Sequence, residues 1–397
     1  RRNSISMSLP FFWRRFSRFA LYSSSAVLSS GYAYFHWSSR SAFAESAVGF
    51  RKYTDIPISD KPIPLCFTTE SVNQERDNAQ ARMEKIVRRG QHRLTTVLGA
   101  IDGKNFEEQI WHREGGTGGG CSRVLQGGNV LEKSGVNISV SYGNLSVPAQ
   151  KQMMHKNEEV KEYLNSRSSG DSDVPFFAAS ISSVSHPLNP HAPTFHFNYR
   201  YFELGEFHQV TGEFVPRVWW FGGGADLTPS ILYPEDAKHF HTVLKRVCDN
   251  YDAKAYPKYK SWCDDYFRIP YRDEGRGIGG VFFDDVTGNE KEKIFRFVEE
   301  MVEAMIEVYV PILAKRCDTP YTQEEKEWQL IRRGRYAEFN LTTDRGTKFG
   351  LARRGANVEA ILMSLPLTCR FEYKNSPKPG YQEDLMTVLQ SPIDWAA

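Results

Sequence analysis

The sequence lacks the signals that mark several common chemistries. Its six cysteines (Cys66, Cys121, Cys248, Cys263, Cys317 and Cys369) include no C-x-x-C pair. That argues against a zinc ribbon or a redox dithiol and favours free, mostly buried thiols. Charge of one sign is also missing. Lys and Arg number 50 against 48 Asp and Glu, a net of +2, so nothing calls for a nucleic-acid partner. The moderately apolar run Phe19 to Trp37 is serine-rich and lacks the sustained hydrophobicity of a membrane-spanning helix. The cluster Gly115-Gly116-Thr117-Gly118-Gly119-Gly120 has neither the Gly-Lys-Ser/Thr ending of a phosphate loop nor dinucleotide-fold spacing. It reads as a mobile loop, either a lid or a plain linker. Acid is absent from Arg1 to Ala44, where Arg1, Arg2, Arg14, Arg15, Arg18 and Arg40 stand among many serines. This is the composition of an organelle transit peptide. A basic segment followed by a weakly apolar one resembles bipartite signals that stop at the inner mitochondrial membrane; the plain alternative is a tail with no address.

What remains is enough for a large core. By length alone, 397 residues could hold two or three domains. Yet no break in composition after Ser46 marks a second one, and no internal repeat is visible. A Pro-spaced arm runs from Ser46 to Glu70. Asn73 to Ile101 has the period of an amphipathic helix, with Met83, Ile86, Val87, Leu94, Val97 and Leu98 on one side. Strand-like segments follow at Val136 to Ser141, Phe176 to Val184, Phe195 to Phe202, Arg217 to Phe221 and Gly280 to Asp284. Several are separated by turn signals rather than helices, which favours antiparallel pairing. Tyr163 to Asp173 reads as a surface loop. Helices are expected from Pro234 to Asp249, from Glu290 to Leu313, and after Thr322, where Thr322 and Glu325 fit a capping box.

The most telling stretch is Phe195-His196-Phe197-Asn198-Tyr199-Arg200-Tyr201-Phe202, which alternates with period two. As a strand it turns His196, Asn198 and Arg200 to one face and the aromatics Phe195, Phe197, Tyr199 and Tyr201 to the other. The aromatic face suits a core. The face with an imidazole, an amide and a guanidinium meets solvent or lines a polar cavity. Downstream, Trp219-Trp220-Phe221 breaks into Gly222-Gly223-Gly224 just before Asp226. Residues without side chains would let a planar ligand close on the backbone; a turn is the ordinary alternative.

These blocks carry a resemblance. His191 to Arg200, Trp219 to Pro229, Trp262 to Phe267, Arg276 to Asp285, Arg332 to Leu341, Asp344 to Leu351 and Ile361 to Leu367 together resemble the oxygen-dependent coproporphyrinogen III oxidases of haem biosynthesis. The likeness runs from about Asn78 to Trp395. It implies an α+β fold, a large mainly antiparallel sheet flanked by helices on both faces. Residues 48–397 would form one catalytic domain and residues 1–47 a targeting segment, cleaved or disordered. It also implies oxidative decarboxylation of two propionates to vinyl groups, with molecular oxygen as co-substrate and no metal or organic cofactor. The expected partner is a second copy of the chain, with Tyr336 to Phe371 at the interface. Peripheral association with an organelle membrane is left open. The expected location is mitochondrial, in the intermembrane space, with plastid and cytosol as alternatives.

The resemblance also implies a site. His196 would be a general acid, and Asp226 would meet pyrrole N–H groups and balance charge on the ring. Arg200 and Arg345 would grip propionates, with Asp344 orienting Arg345. Ser182, Asn198, Tyr199 and Gly355-Ala356-Asn357 would touch substrate. Asn357 stands where the family has arginine, so Arg353 or Arg354 could serve in its place. Bacterial relatives suggest a four-histidine metal site, but here His186, His196 and His241 are joined by Tyr271, and no metal is expected. Two rivals remain: a carrier that kept the pocket and lost the chemistry, and a metal-dependent oxygenase built on the histidines.

Overall fold

The computed structural model describes Ile56 and residues 78–154, 157–167, 174–352 and 356–397. The expected targeting segment lies outside these residues, as do residues 73–77 of the first expected helix. The first elements are helix α1 (Ala79–Asp102) and strands β1 (Glu107–His112), β2 (Gly118–Gln126) and β3 (Leu131–Leu145). Helices α2 (Val147–Met154) and α3 (Glu158–Ser166) lead to the long strands β4 (Val174–Pro187), β5 (Thr194–Phe207) and β6 (Phe214–Thr228). Next come α4 (Pro234–Tyr251), α5 (Ala255–Tyr266), the short pair β7 (Arg268–Ile269) and β8 (Glu274–Gly275), and β9 (Gly280–Val286). The chain ends with α6 (Lys291–Arg316), α7 (Gln323–Thr342), α8 (Arg345–Leu351), α9 (Val358–Leu362) and α10 (Tyr381–Gln390).

The main sheet has seven strands in the order β1-β2-β3-β4-β5-β6-β9, antiparallel throughout. Period-two alternation decides which face meets the core. Phe195, Phe197, Tyr199 and Tyr201 are almost fully buried. Phe195 stacks on Tyr309 of α6 with centroids 4.6 Å apart, and Tyr201 meets Phe295 of α6 at 5.4 Å. The expected stripe on α1 (Met83, Ile86, Val87, Leu94, Val97, Leu98) is buried as well, so α1, α4 and α6 form one layer behind the sheet. Asn78 caps α1 by accepting from the Ala81 N–H at 2.8 Å. The expected capping box of Thr322 and Glu325 opens α7.

Among the described residues, the other face is covered only at its two ends. At one end Phe176, Phe202 and Trp220 pack with Val160, Tyr163 and Leu164 of α3 and with Ala149 and Met153 of α2. At the other, Tyr336 of α7 lies edge-on to His186 of β4, 5.1 Å between centroids. Helix α5 wraps the β9 edge: Tyr259 meets Phe283 behind the sheet, while Trp262 and Tyr266 meet Phe282 in front. Helices on both faces therefore flank the sheet, as expected, and a strip of the front face stays half open between them.

Two local expectations are corrected, and one open alternative is decided. Tyr163 to Ser166 are not loop but the end of α3, because Tyr163 and Leu164 have an apolar cluster to join; residues 168–173 lie outside the described part. Gly118, Gly119 and Gly120 are not a mobile loop but the buried start of β2, paired with Ser139 to Ser141. The Trp111 ring lies where a side chain on Gly120 would go. Gly222 to Gly224 are not a turn either, since β6 runs unbroken through them to Thr228. Short helices such as α2, α8 and α9 gave no periodic stripe long enough to read.

Candidate active site

Residues directly opposite each other in an antiparallel pair share a face, so the register lays out the front of the sheet row by row. One row holds Val184, His196, Asp226 and Gly280; the next holds Asn137, Ser182, Asn198, Gly224 and Phe282; a third holds Ser139, Ser180, Arg200 and Gly222. Between the covered ends, the middle strip is floored by glycine, serine and asparagine. Arg200 rises from it, its Nη1 donating to Asn198 Oδ1 at 3.0 Å and its Nη2 lying 2.8 Å from Asp284 Oδ1. Gly222 makes that pair possible. A Cβ there would sit 2.8 Å from Arg200 Cζ and closer still to Asp284.

His196 and Asp226 meet as the register requires. Asp226 is 1% exposed and His196 Nδ1 lies 2.6 Å from its Oδ1. Both oxygens of Asp226 also accept from Arg276 Nη2 at 2.8 Å. Burial opposes ionisation of Asp226, but the Arg276 guanidinium and His196 outweigh it and hold the carboxyl below its ordinary range. Arg276 is itself buried. It donates to Asn340 Oδ1 at 2.9 Å and is enclosed by the rings of Phe267, Tyr336 and Phe339, 4.1, 4.5 and 4.9 Å from their centroids. The Asp226 and Asn340 contacts and the three rings offset much of the cost of burying this charge, although the buried Nε–H has no hydrogen-bond partner.

Asp226 thus stands under His196 rather than open to a ligand. The direct contact with pyrrole N–H groups expected of it is replaced here by contacts to Arg276 and His196. With Nδ1 committed to Asp226, Nε2 is the imidazole atom left for proton transfer. Arg276 escaped the sequence reading as a site residue although it opens the Arg-Gly-Ile-Gly-Gly motif. An arginine flanked by Gly275 and Gly277, just ahead of a strand, was the available signal.

The other expected residues divide. Ser182 and Asn198 share the front face with His196 and Arg200. Tyr199 does not: it points behind the sheet, fully buried, its hydroxyl 3.7 Å from Met305 Sδ. Asp344 shows no ion pair with Arg345. It caps α8 by accepting from Thr347 N at 2.6 Å and accepts a hydrogen bond from the Tyr266 hydroxyl at 3.0 Å. The exposed Arg345 guanidinium lies 4.9 Å over the Tyr266 ring, and that ring stacks on Phe282 at 4.1 Å. Tyr266, not Asp344, joins Arg345 to the floor. Burial and Asp344 push its phenol up to about 12, so it stays a donor. Asn357 caps α9, accepting from Ala360 N at 3.2 Å, a task its short amide performs well. Ala356 precedes it; Gly355, Arg353 and Arg354 lie outside the described residues.

The histidines proposed for a metal are otherwise engaged. His186 uses Nδ1 on Thr194 and Nε2 on the Ser364 carbonyl. His241 uses Nδ1 on the Tyr256 hydroxyl and Nε2 on the Ile278 carbonyl, and burial pushes its pKa down to about 3. Tyr271 is exposed, its hydroxyl 2.8 Å from Thr342 Oγ1. Among the described residues no three His, Cys, Asp or Glu side chains converge as a metal site would require.

Comparison with known proteins agrees with this geometry. The family model described as coproporphyrinogen III oxidase matches residues 82–395. The chain is 50% identical over 318 residues to the mitochondrial oxygen-dependent coproporphyrinogen-III oxidase of Homo sapiens, covering 80% of this chain and 67% of that protein. It is 44% identical over 345 residues to the chloroplastic coproporphyrinogen-III oxidase 1 of Arabidopsis thaliana, covering 86% of each. To the oxygen-dependent enzyme of Drosophila melanogaster it is 48% identical over 324 residues, 81% of this chain and 79% of that one. With the match running through β5, β6 and the Arg276 motif alike, the chain belongs to the coproporphyrinogen III oxidase family.

Proposed function

We propose that this protein is an oxygen-dependent coproporphyrinogen III oxidase that converts two propionates of its substrate to vinyl groups, giving protoporphyrinogen IX. Each conversion removes carbon dioxide and two hydrogens, and the hydrogens reduce one oxygen molecule to hydrogen peroxide. The observation that carries the reading is the His196–Asp226–Arg276 chain at the margin of a polar, glycine-floored sheet face. An electron-rich, reduced tetrapyrrole can itself give electrons to oxygen, so the protein has to orient it, exclude water and place protons. Arg200 offers a carboxylate two parallel donors. Arg345 supplies a second cation at the start of α8. Asp226, kept ionised by Arg276, fixes the His196 ring and balances positive charge growing above it, while Nε2 moves the proton.

The reaction is proposed to need no metal or organic cofactor. Metal-free protein, mixed anaerobically with coproporphyrinogen III, should hold it unchanged and form protoporphyrinogen IX and peroxide when oxygen is admitted. Activity lost on chelation and restored by one divalent ion would return the metal-dependent oxygenase to first place. Binding without turnover under oxygen would leave only the carrier.

Residues 48–397 are proposed as the catalytic unit and residues 1–47 as its targeting segment, directing it to the mitochondrial intermembrane space. The working form is proposed to be a homodimer. Several apolar side chains near the proposed interface are exposed, among them Leu341, Leu367 and Phe371, and a second copy would cover them. A chain starting at Val48 should fold, keep full activity and sediment at twice its own mass. An inactive truncated protein beside active full-length protein would place the segment in the fold, and an active monomer would refute the dimer.

A further inference from the structure

The front of the sheet continues past the residues so far given a role. Asn137 of β3 lies in the same row as Ser182 and Asn198, and all three are half-buried. At one strand spacing per step, Asn137 and Asn198 stand about 10 Å apart across Ser182. Both amides have their oxygens tied down within the protein. Asn198 Oδ1 accepts from Arg200 Nη1 at 3.0 Å. Asn137 Oδ1 accepts from the Ser122 hydroxyl at 2.8 Å. Ser122 in turn accepts from Trp111 Nε1 at 3.2 Å. An indole N–H can only donate, so Ser122 receives at that contact and its own proton goes to Asn137. The relay Trp111 to Ser122 to Asn137 therefore turns the Asn137 NH2 group away from its oxygen's partner. What the row presents is two N–H donors with a hydroxyl between them.

We infer that Asn137, oriented by Trp111 and Ser122, is a further carboxylate-binding group, on β3, that takes a propionate away from the Arg200 end of the substrate. The inference rests on the proposed substrate, whose four acidic side chains radiate from one ring and cannot all reach Arg200. A donor about two strands away answers that spread, and it does so without another cation to neutralise. Gly224 and Gly222, in the same rows, leave the ring room to lie between the two anchors.

Binding can be read apart from turnover by fluorescence titration of the full chain with two probes, coproporphyrin III and its tetramethyl ester. Asn137→Asp sets a carboxylate against a carboxylate, and should weaken the free acid about tenfold or more while leaving the ester unchanged. Ser122→Ala frees the amide to turn and should weaken the free acid by a smaller factor in the same direction. In turnover both variants should raise KM for coproporphyrinogen III more than they lower kcat. Equal losses with acid and ester, or wild-type binding of both probes by both variants, would overturn the inference. If Asn137→Asp fails to fold, Ser122→Ala decides alone. If the wild-type protein binds the free acid this way but never decarboxylates coproporphyrinogen, the proposed reaction falls and this site stands.

Discussion

Asp226→Asn should lower kcat about 10²-fold or more and change KM far less, the pattern of a group whose work is done in the transition state. The substitution keeps the shape and removes the charge. His196 then loses the anion that fixes its ring, and the charge growing on the substrate loses its balance. The same change strips a buried cation of its partner. Arg276 is 2% exposed and Asp226 1%, and leaving such a cation uncompensated costs about 3–5 kcal/mol. A lower melting temperature is therefore expected too, and it must be separated from the chemistry. The double variant Asp226→Asn/Arg276→Met removes both charges from the aromatic box and should recover much of the stability, with turnover still lost. If the double variant regained both, the acid would be only a structural counter-ion. The pH dependence has a definite sign. The folded carboxyl lies below its ordinary range, so its stabilising share is present above the unfolded carboxylate pKa. That share is lost as pH falls through the lower folded value. Wild-type protein should thus lose stability over acid pH more steeply than the double variant.

Much of this was legible beforehand because β5 states its geometry in every second residue. His196, Asn198 and Arg200 could be put on one face, and the aromatics behind them, from alternation alone. The stripe of α1 and the cap of α7 were equally plain. The glycines misled. Gly118 to Gly120 and Gly222 to Gly224 look like breaks by propensity, yet each run lies inside a strand, where neighbouring backbone or side-chain atoms occupy the space a Cβ would need at Gly118, Gly120 and Gly222 to Gly224. That is a tertiary reason, absent from any local window. Arg276 was hidden for a related cause. Its partners Asp226 and Asn340 are 50 and 64 residues away, and the acids nearest it in sequence, Asp273 and Glu274, pair with Arg268 and Arg332 instead. The expected link between Asp344 and Arg345 failed because adjacency along the chain is not proximity of side chains at a helix start. There the carboxylate caps the helix while the guanidinium turns to Tyr266.

Arg200→Ala should act in the opposite sense to Asp226→Asn, raising KM about ten- to a hundredfold with a smaller change in kcat. Its target, a propionate, is charged before reaction as well as during it, so the contact serves ground state and transition state alike. Arg200 is one-third exposed, which keeps the expected effect below that of a fully buried charge pair. Arg200→Lys keeps the cation but loses the planar fork, so its KM should fall between the two. The structure adds a competitor, because Asp284 already holds one edge of the guanidinium at 2.8 Å. Asp284→Asn removes that anion without emptying the space, and should leave KM unchanged or lower it, since the substrate no longer displaces a carboxylate. If Asp284→Asn instead raised KM as much as Arg200→Ala, the pair would be acting as one unit that presents a fixed guanidinium edge. Steady-state kinetics on the four proteins, each checked for an unchanged melting temperature, separate these cases. An Arg200→Ala enzyme with wild-type KM would remove Arg200 from the binding site altogether.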